Sequence, residues 1–300
     1  MRSHVVEDDE TGHAQDKIEH PRPLWKTGSR ADRLAGMTDK LIALEHENWI
    51  AYLRGVVSCT SGAQVTRVGG VVTILTGLPF DWFNQVLIER EEATAAAVLA
   101  GVAQARDRGD RFVVRLRVGI DDRFISTLTQ AGLVPEHGDT LTPGMVAFPI
   151  DHGAIASQAS PGLEIRRVTD LAGIDAHRKA VTDGFGSDTG VALGTACADL
   201  LDRPDCVVYV GYAGGAAVVS GLGWRTGRTI GVYSIATIAS ARRRGYGATM
   251  TARVVADGVD GGCDVAALQA SEMGRPVYER LSFRTVVRYA AYVEAAQRPV

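Results

Sequence analysis

Cysteine is scarce in this chain: four residues in 300, Cys59, Cys197, Cys206 and Cys263, with no CxxC pair. That excludes a domain held by a disulfide framework, and the four read as reduced thiols of a cytoplasmic protein. Long apolar runs are missing as well. None reaches the roughly 18 to 20 residues that a membrane span needs, and residues 1–30 lack the apolar segment of a secretory signal. No sign of charge predominates: 32 Lys plus Arg stand against 35 Asp plus Glu, a net charge of −3. The broad basic field used to hold nucleic acid is therefore absent, and neither a nucleic acid nor a membrane is expected as a partner. The seven histidines are dispersed, without an HxxxH or HxH pair, so no metal is expected.

What is present is an ordinary globular composition, 46% hydrophobic and 22% charged, long enough for one large domain or two average ones. Residues 1–30 are polar and irregular and read as a disordered tail carrying the acidic run Glu7-Asp8-Asp9-Glu10. From 37 to 57 the spacing of Leu41, Leu44, Trp49, Tyr52 and Leu53 predicts a helix. Strands follow at 64–68, 71–75 and 83–88, the first two joined by Gly69-Gly70, a hairpin signal. An Ala-rich helix over 91–108 is opened by Glu91 and Glu92 and closed by Gly109. A strand over 111–116, a helix over 121–131 and a strand over 145–150 complete this half.

Residues 151–162 are small and loop-like and read as a linker. Beyond them the cycle repeats: helices over 171–182 and 195–201, strands over 206–211, 216–223 and 229–238, a helix over 247–256, a strand over 265–269, a helix over 275–281 and a strand over 285–293. The segment Leu128-Thr129-Gln130-Ala131-Gly132-Leu133 takes the place of Tyr278-Glu279-Arg280-Leu281-Ser282-Phe283. The expected fold class is α+β: two tandem units at 31–150 and 163–300, each a central mixed sheet flanked by helices.

The chemistry gathers at Arg242-Arg243-Arg244-Gly245-Tyr246-Gly247-Ala248, between a strand and a helix. A helix N-terminus offers unpaired N–H groups and the positive end of the helix dipole, which favour phosphate. Gly245 and Gly247 let phosphate oxygens approach the backbone, and the arginines add charge. No Gly-Lys-Ser/Thr follows and GxGxxG is absent, so this is neither a P-loop nor a dinucleotide fingerprint.

The segment resembles motif A of the GNAT superfamily of N-acetyltransferases, Arg/Gln-x-x-Gly-x-Gly/Ala, at Arg242, Gly245 and Gly247. Val277-Tyr278-Glu279-Arg280-Leu281-Ser282-Phe283 is similar to the superfamily's Leu-Tyr-x-x-x-Gly-Phe segment, with Ser282 where Gly is usual. The resemblance covers residues 163–293. It implies acetyl-CoA as co-substrate, with its pantetheine arm along Ile235-Ala236-Thr237, its diphosphate at residues 242–248, and Ser271 close by after the strand end Leu268-Gln269-Ala270. It also implies direct acetyl transfer to a primary amine of a small molecule or a peptide amino terminus, with Tyr278 as general acid. A phenol, pKa about 10, keeps its proton at neutral pH and can give it to a leaving thiolate.

The general base stays open. Residues 231–238 hold no carboxylate, where many superfamily members have a Glu. Glu272 is the first candidate, Asp183 and Asp188 are others, and a water chain to backbone carbonyls is a further route. Tyr233 and Ser234 are candidates to line the acceptor pocket, and His177 reads as a surface helix residue. The first half looks like a degenerate copy: Glu89-Arg90-Glu91-Glu92-Ala93 replaces the glycine loop and Leu128 the tyrosine, so only the second half is expected to bind acetyl-CoA. The competing reading is a CoA-binding regulatory or scaffold protein without turnover. Monomer and homodimer are both open.

Overall fold

The computed structural model describes residues 30–136, 141–186 and 190–297. The tail expected at 1–30 and the candidate base Asp188 fall outside them, except for Arg30 at the start of the first helix. Residues 1–37 and 38–300 form separate units, and the sheet, the helices that cover it and the candidate site all belong to the second. None of the described helices is long and apolar enough to cross a membrane.

In chain order the main elements are α1 (Arg30–Val56), β1 (Gln64–Val68), β2 (Val71–Leu75), β3 (Gln85–Ile88), α2 (Ala95–Arg108), β4 (Val113–Arg117), α3 (Ile125–Gln130), β5 (Leu133–Pro135), β6 (Thr142–Ala147), α4 (His152–Ala156), β7 (Glu164–Arg167), α5 (Leu171–Phe185), α6 (Val191–Thr195), β8 (Cys206–Ala213), β9 (Ala216–Thr226), β10 (Thr229–Thr237), α7 (Tyr246–Asp260), β11 (Val265–Gln269), α8 (Arg275–Arg280) and β12 (Arg284–Glu294). The hairpins β1–β2 and β8–β9 turn on Gly69-Gly70 and Gly214-Gly215, all four with positive φ, as a type I′ turn demands. β2 and β3 are buried along their whole length, Thr73 and Gln85 included.

The strands form one mixed sheet in the order β1-β2-β3-β4-β12-β6-β11-β10-β9-β8-β7, with β5 alongside β12. The run β1-β2-β3-α2-β4-α3 is matched by β8-β9-β10-α7-β11-α8, and in each a parallel pair flanks the longer helix (β3 with β4, β10 with β11). The closing strands are exchanged. β6 pairs with β11, and β12 with β4 and β6.

Side-chain alternation assigns the two faces. Val207 and Tyr209 of β8 pack with Met250, Val254 and Val255 of α7. Val208 and Val210 pack with Trp49, Tyr52 and Leu53 of α1 and Ile174 of α5. Val72, Ile74 and Leu87 of the first half belong to the same cluster, so α1 lies across strands of both halves. Its close approach requires glycine in the strand beneath: a Cβ at Gly231 would stand 1.9 Å from Asn48 Oδ1.

Four expectations are corrected. Cys59 and Cys197, 138 positions apart, are joined in a disulfide, and only Cys206 and Cys263 are free, both buried. The pairing is made by tertiary folding, and no local spacing signals it. The Ala-rich helix of the first half begins at Ala95, not at Glu91, because Thr94 caps it. Residues 151–162 contain a short helix, α4, capped by Asp151 and anchored by the buried Ile155. His177 is fully buried, not on the surface. Its Nδ1 meets the Ser220 hydroxyl and its Nε2 donates to the Thr195 carbonyl at 3.0 Å.

Burial lowers the His177 pKa to about 4 from an ordinary 6.5. The folded state therefore resists the proton that the unfolded chain takes up below 6.5, and stability is lost as the pH falls from 6.5 toward 4. His177→Asn is expected to be the less stable protein at pH 7, and its deficit narrows by about 2–3 kcal/mol by pH 4.5. Urea titrations of both proteins at the two pH values measure this. His46, lowered likewise to about 4, is common to both and cancels.

Ser282, in the position where glycine is usual, keeps the left-handed turn at φ 65°. That conformation costs an L-residue about 1 kcal/mol. Ser282→Gly relieves that strain but frees the unfolded chain by a comparable amount, so the denaturant midpoint is expected to move by less than about 1 kcal/mol equivalent.

Candidate acyl-donor site

The helix α7 opens without a side-chain cap. Gly245 occupies the N-cap position at φ 83°, a left-handed conformation suited to glycine, and Arg243 before it is also left-handed at φ 60°. The first helical bond runs from Thr249 N–H to the Gly245 carbonyl at 3.0 Å. The amides of Tyr246, Gly247 and Ala248 thus precede the helical ladder and carry the positive end of the dipole. A Cβ at Gly247 would point at the end of β10, 3.5 Å from Thr237 Oγ1 and 3.8 Å from Ile235 Cγ2. That is space next to the strand, left open by the missing side chain.

The equivalent helix of the first half is closed. The Thr94 hydroxyl accepts from Ala97 N–H at 3.2 Å, Glu89 pairs with Arg67, and Arg123 is bonded to the Glu91 carbonyl. Carboxylates and a self-cap replace bare amides, and Leu128 is fully buried in the core.

The sheet opens beside α7. β10 pairs with β11 only over Thr229–Gly231 against Val265–Ala267, although β10 runs on to Thr237 and β11 to Gln269. Its register against β9 shifts between Tyr233 and Ala236, and Ser234 there adopts φ 51°. The extra residue bends β10, so its edge from Val232 onward lies apart from β11. A wedge results, open at the C-terminal ends of two parallel strands.

The arginines differ in role. Arg242 is held by the chain itself: Nη2 donates to the Gly184 carbonyl at 2.8 Å and Nε to the Thr237 carbonyl at 3.3 Å. It fixes the loop to the end of α5 and β10. Arg243 and Arg244 are exposed and carry the loop's outward charge. Ser160, from the segment after α4, bonds the Thr249 hydroxyl at 2.8 Å and the Arg244 carbonyl at 3.3 Å. The Tyr246 ring is buried in the core, so only its amide faces the loop. Ala236 is buried against Gly184, where a Cβ would come within 2.8 Å of the alanine methyl.

Across the wedge, the turn after β11 is capped by Ser271, whose hydroxyl accepts from Gly274 N–H at 3.1 Å. This leads into α8 and Tyr278, whose ring packs edge-on against Phe283 at 6.0 Å. Among the described residues nothing hydrogen-bonds the Tyr278 hydroxyl, and burial pushes its pKa up to about 12. Glu272 is exposed, and Asp183 is paired with Lys179 at 2.7 Å. Tyr233 is buried, stacked on Tyr52 at 3.7 Å, and donates to Asn48 Oδ1 at 2.7 Å. Phe80 and Phe83 abut Gly190 and Gly194 at α6, and Trp82 packs on Val181, Val191, Ala192 and Ala236, so this aromatic cluster joins the two halves.

Sequence reasoning passed over Glu45. It is fully buried on α1 and accepts from Gln269 Nε2 at 2.6 Å and Tyr289 Oη at 2.5 Å. The signal was available: Glu45 lies four residues after Leu41 and four before Trp49, on the helix's own apolar stripe.

No family model matches this chain, and no curated protein matches it. Solved structures do. A GCN5-related N-acetyltransferase from Kribbella flavida superposes with a TM-score of 0.62 at 15% identity, over 84% of this chain and 95% of that one. A conserved protein of unknown function from Staphylococcus epidermidis gives 0.56 at 14% identity, over 78% and 94%. A GCN5-related glucosamine N-acetyltransferase region in a fungal multi-domain GH3 β-N-acetylglucosaminidase gives 0.51 at 11% identity, over 77% of this chain and 31% of that one. Together with the wedge and the uncapped helix, these likenesses establish that the chain has the fold of the GCN5-related N-acetyltransferases.

Proposed function

We propose that this chain is an acetyl-CoA-dependent N-acetyltransferase that acts on the primary amine of a small molecule or a peptide amino terminus. The observation that carries the reading is the uncapped N-terminus of α7 beside the unpaired edge of β10. The residues fit the donor. The amides of Tyr246, Gly247 and Ala248 suit a diphosphate, with Gly245 shaping the turn and Arg243 and Arg244 adding charge. The free edge formed by Ile235, Ala236 and Thr237 suits the amides of an extended pantetheine arm, which would add to the sheet as a strand does. Tyr278, protonated throughout the neutral range, is placed after β11 to donate to the departing thiolate.

The halves are two copies of one unit with exchanged closing strands. The first copy has lost its anion site through Thr94 and the acidic turn and serves as support, so one acetyl-CoA is expected per chain. The transfer so described calls for no metal.

Incubating the protein with acetyl-CoA and a panel of primary amines, and reading free thiol, tests the assignment. Amine-dependent thiol release is expected. The second reading, a CoA-binding protein without turnover, rests on the lack of a carboxylate in residues 231–238. It predicts binding of the donor with no thiol release for any amine.

A further inference from the structure

The acetyltransferase reading leaves a chemical gap, because a protonated amine cannot attack a thioester and β10 offers no carboxylate. We propose that Glu45, carried on α1 from the first half of the chain, is the proton acceptor for the amine at the site built by the second half. This inference rests on the acetyltransferase reading and deepens it.

Placement is the first argument. Gln269, which binds Glu45 Oε1, is the last residue of β11, and β11 is one wall of the wedge. Three residues along α1 from Glu45, Asn48 accepts from Tyr233 on β10, the other wall. Asn48 also donates to the carbonyls of Trp224 at 3.0 Å and Thr229 at 3.4 Å. Thus α1 is tied to both diverging strands, to β11 by Glu45 itself and to β10 by Asn48, about one helical turn further on. A Cβ at Gly144 on the neighbouring β6 would come 2.5 Å from Glu45 Oε1, so the strand beneath is shaped to admit this carboxyl group.

The placement of protons is the second argument. His46 Nε2 lies 2.7 Å from the Ile88 carbonyl, which can only accept, so that nitrogen carries the ring's hydrogen. His46 Nδ1 then accepts from Tyr289 Oη at 3.0 Å. Tyr289 has one hydrogen, and its oxygen also lies 2.5 Å from Glu45 Oε2. With Glu45 protonated, every hydrogen has an acceptor: Glu45 donates to Tyr289 and Tyr289 to His46. With Glu45 ionised, Tyr289 rotates its hydrogen onto the carboxylate. The chain therefore accommodates both states of Glu45, which a base must occupy in turn.

The other charges and titratable groups around it are few. Tyr289 faces it from β12, His46 from α1 and Tyr233 from β10, and Arg117 on β4 acts at longer range. Arg117 is itself neutralised by Asp121 through a two-point pair at 2.8 and 2.9 Å. Burial, partly offset by the Tyr289 and Gln269 hydrogen bonds, raises the Glu45 pKa to about 7. That value suits a base working near neutrality. Glu272, on the exposed turn after β11, has no comparable environment.

In the transfer step, one ammonium proton passes to a Glu45 oxygen, and the freed nitrogen lone pair forms the C–N bond to the acetyl carbonyl carbon as the C=O pair moves onto oxygen. The C=O re-forms as the C–S bond breaks, the thiolate takes the Tyr278 proton, and the second proton lost by nitrogen returns to the Tyr278 phenolate.

The test compares wild type with Glu45→Gln, which keeps the shape and an oxygen for Tyr289. In wild type, the pH profile of kcat/KM for an amine substrate is expected to show an acidic limb near 7. In Glu45→Gln that limb is lost, kcat at pH 8 falls about 100-fold, and the acetyl-CoA Kd changes by less than about two-fold. Independently of activity, a 13C-carboxyl resonance that is absent from Glu45→Gln titrates near 7 in the wild-type protein. A retained limb with near-normal kcat, or a carboxyl midpoint below about 5, overturns the assignment of Glu45 alone. A wild-type protein that binds acetyl-CoA and turns over no amine overturns the acetyltransferase reading and this inference together. If Glu45→Gln is unfolded by circular dichroism, Glu45→Asp, which withdraws the carboxylate by one methylene, takes its place: kcat is expected to fall at least about ten-fold with the acetyl-CoA Kd unchanged, and a near-normal kcat overturns the assignment.

Discussion

Gly247→Glu is expected to abolish acetyl-CoA binding and leave the chain folded. Position 247 lies in the first turn of α7, among amides that precede the helical ladder. A Cβ there makes only ordinary contacts, the nearest at 3.5 Å, so the substitution meets no steric obstacle. An acidic side chain in the first helical turn also interacts favourably with the dipole, by about 0.3–1 kcal/mol, so the melting temperature is expected to hold or rise slightly. The same carboxylate occupies the space proposed for the diphosphate and repels it. Binding measured by calorimetry should weaken by at least about 100-fold. An unchanged Kd removes the phosphate assignment, and the unchanged melting temperature keeps that result from being confused with misfolding.

Tyr278→Phe is expected to lower kcat by about 100-fold while changing the acetyl-CoA Kd by less than about two-fold. The ring packs against Phe283 and the core beneath, and phenylalanine preserves that. Only the hydroxyl is lost, and among the described residues it makes no hydrogen bond that the fold would miss. With its pKa raised to about 12 by burial, Tyr278 does not ionise across the working range. No alkaline limb below pH 10 should therefore disappear in the variant. An unchanged kcat removes Tyr278 from catalysis, and a Kd that rises as steeply as kcat falls makes it a binding residue.

The proposed donor side of the site was legible in the sequence because it is local. Gly245 and Gly247 stand two positions apart at the start of one helix, and every property that matters there, the missing cap and the bare amides, belongs to seven consecutive residues. β1, β2 and β11 were placed to the residue because Gly-Gly turns and Val-rich runs mark their ends. The start of α2 was misplaced since Glu91 and Glu92 imitate a helix opening, whereas Thr94 supplies the hydroxyl that closes it.

What the sequence hid is long-range. The exchange of β6 and β12 depends on which edge each strand finds in the folded chain. The disulfide joins residues that no spacing rule relates. Glu45 lay in plain view on an apolar stripe, but its partners Gln269 and Tyr289 are more than two hundred positions away. The proposed acceptor side draws on α1, β10, β11 and β12 together, and so only folding reveals it.

The central claim is that the amides opening α7 hold the diphosphate of coenzyme A, and backbone amide resonances test it most directly. On titration with coenzyme A, the N–H signals of Gly245, Tyr246, Gly247 and Ala248 should move together and saturate at one equivalent, while those of Ala95, Ala96 and Ala97 at the self-capped α2 stay in place. Saturable binding that leaves the α7 signals unmoved, or that shifts those of α2 instead, would contradict the account.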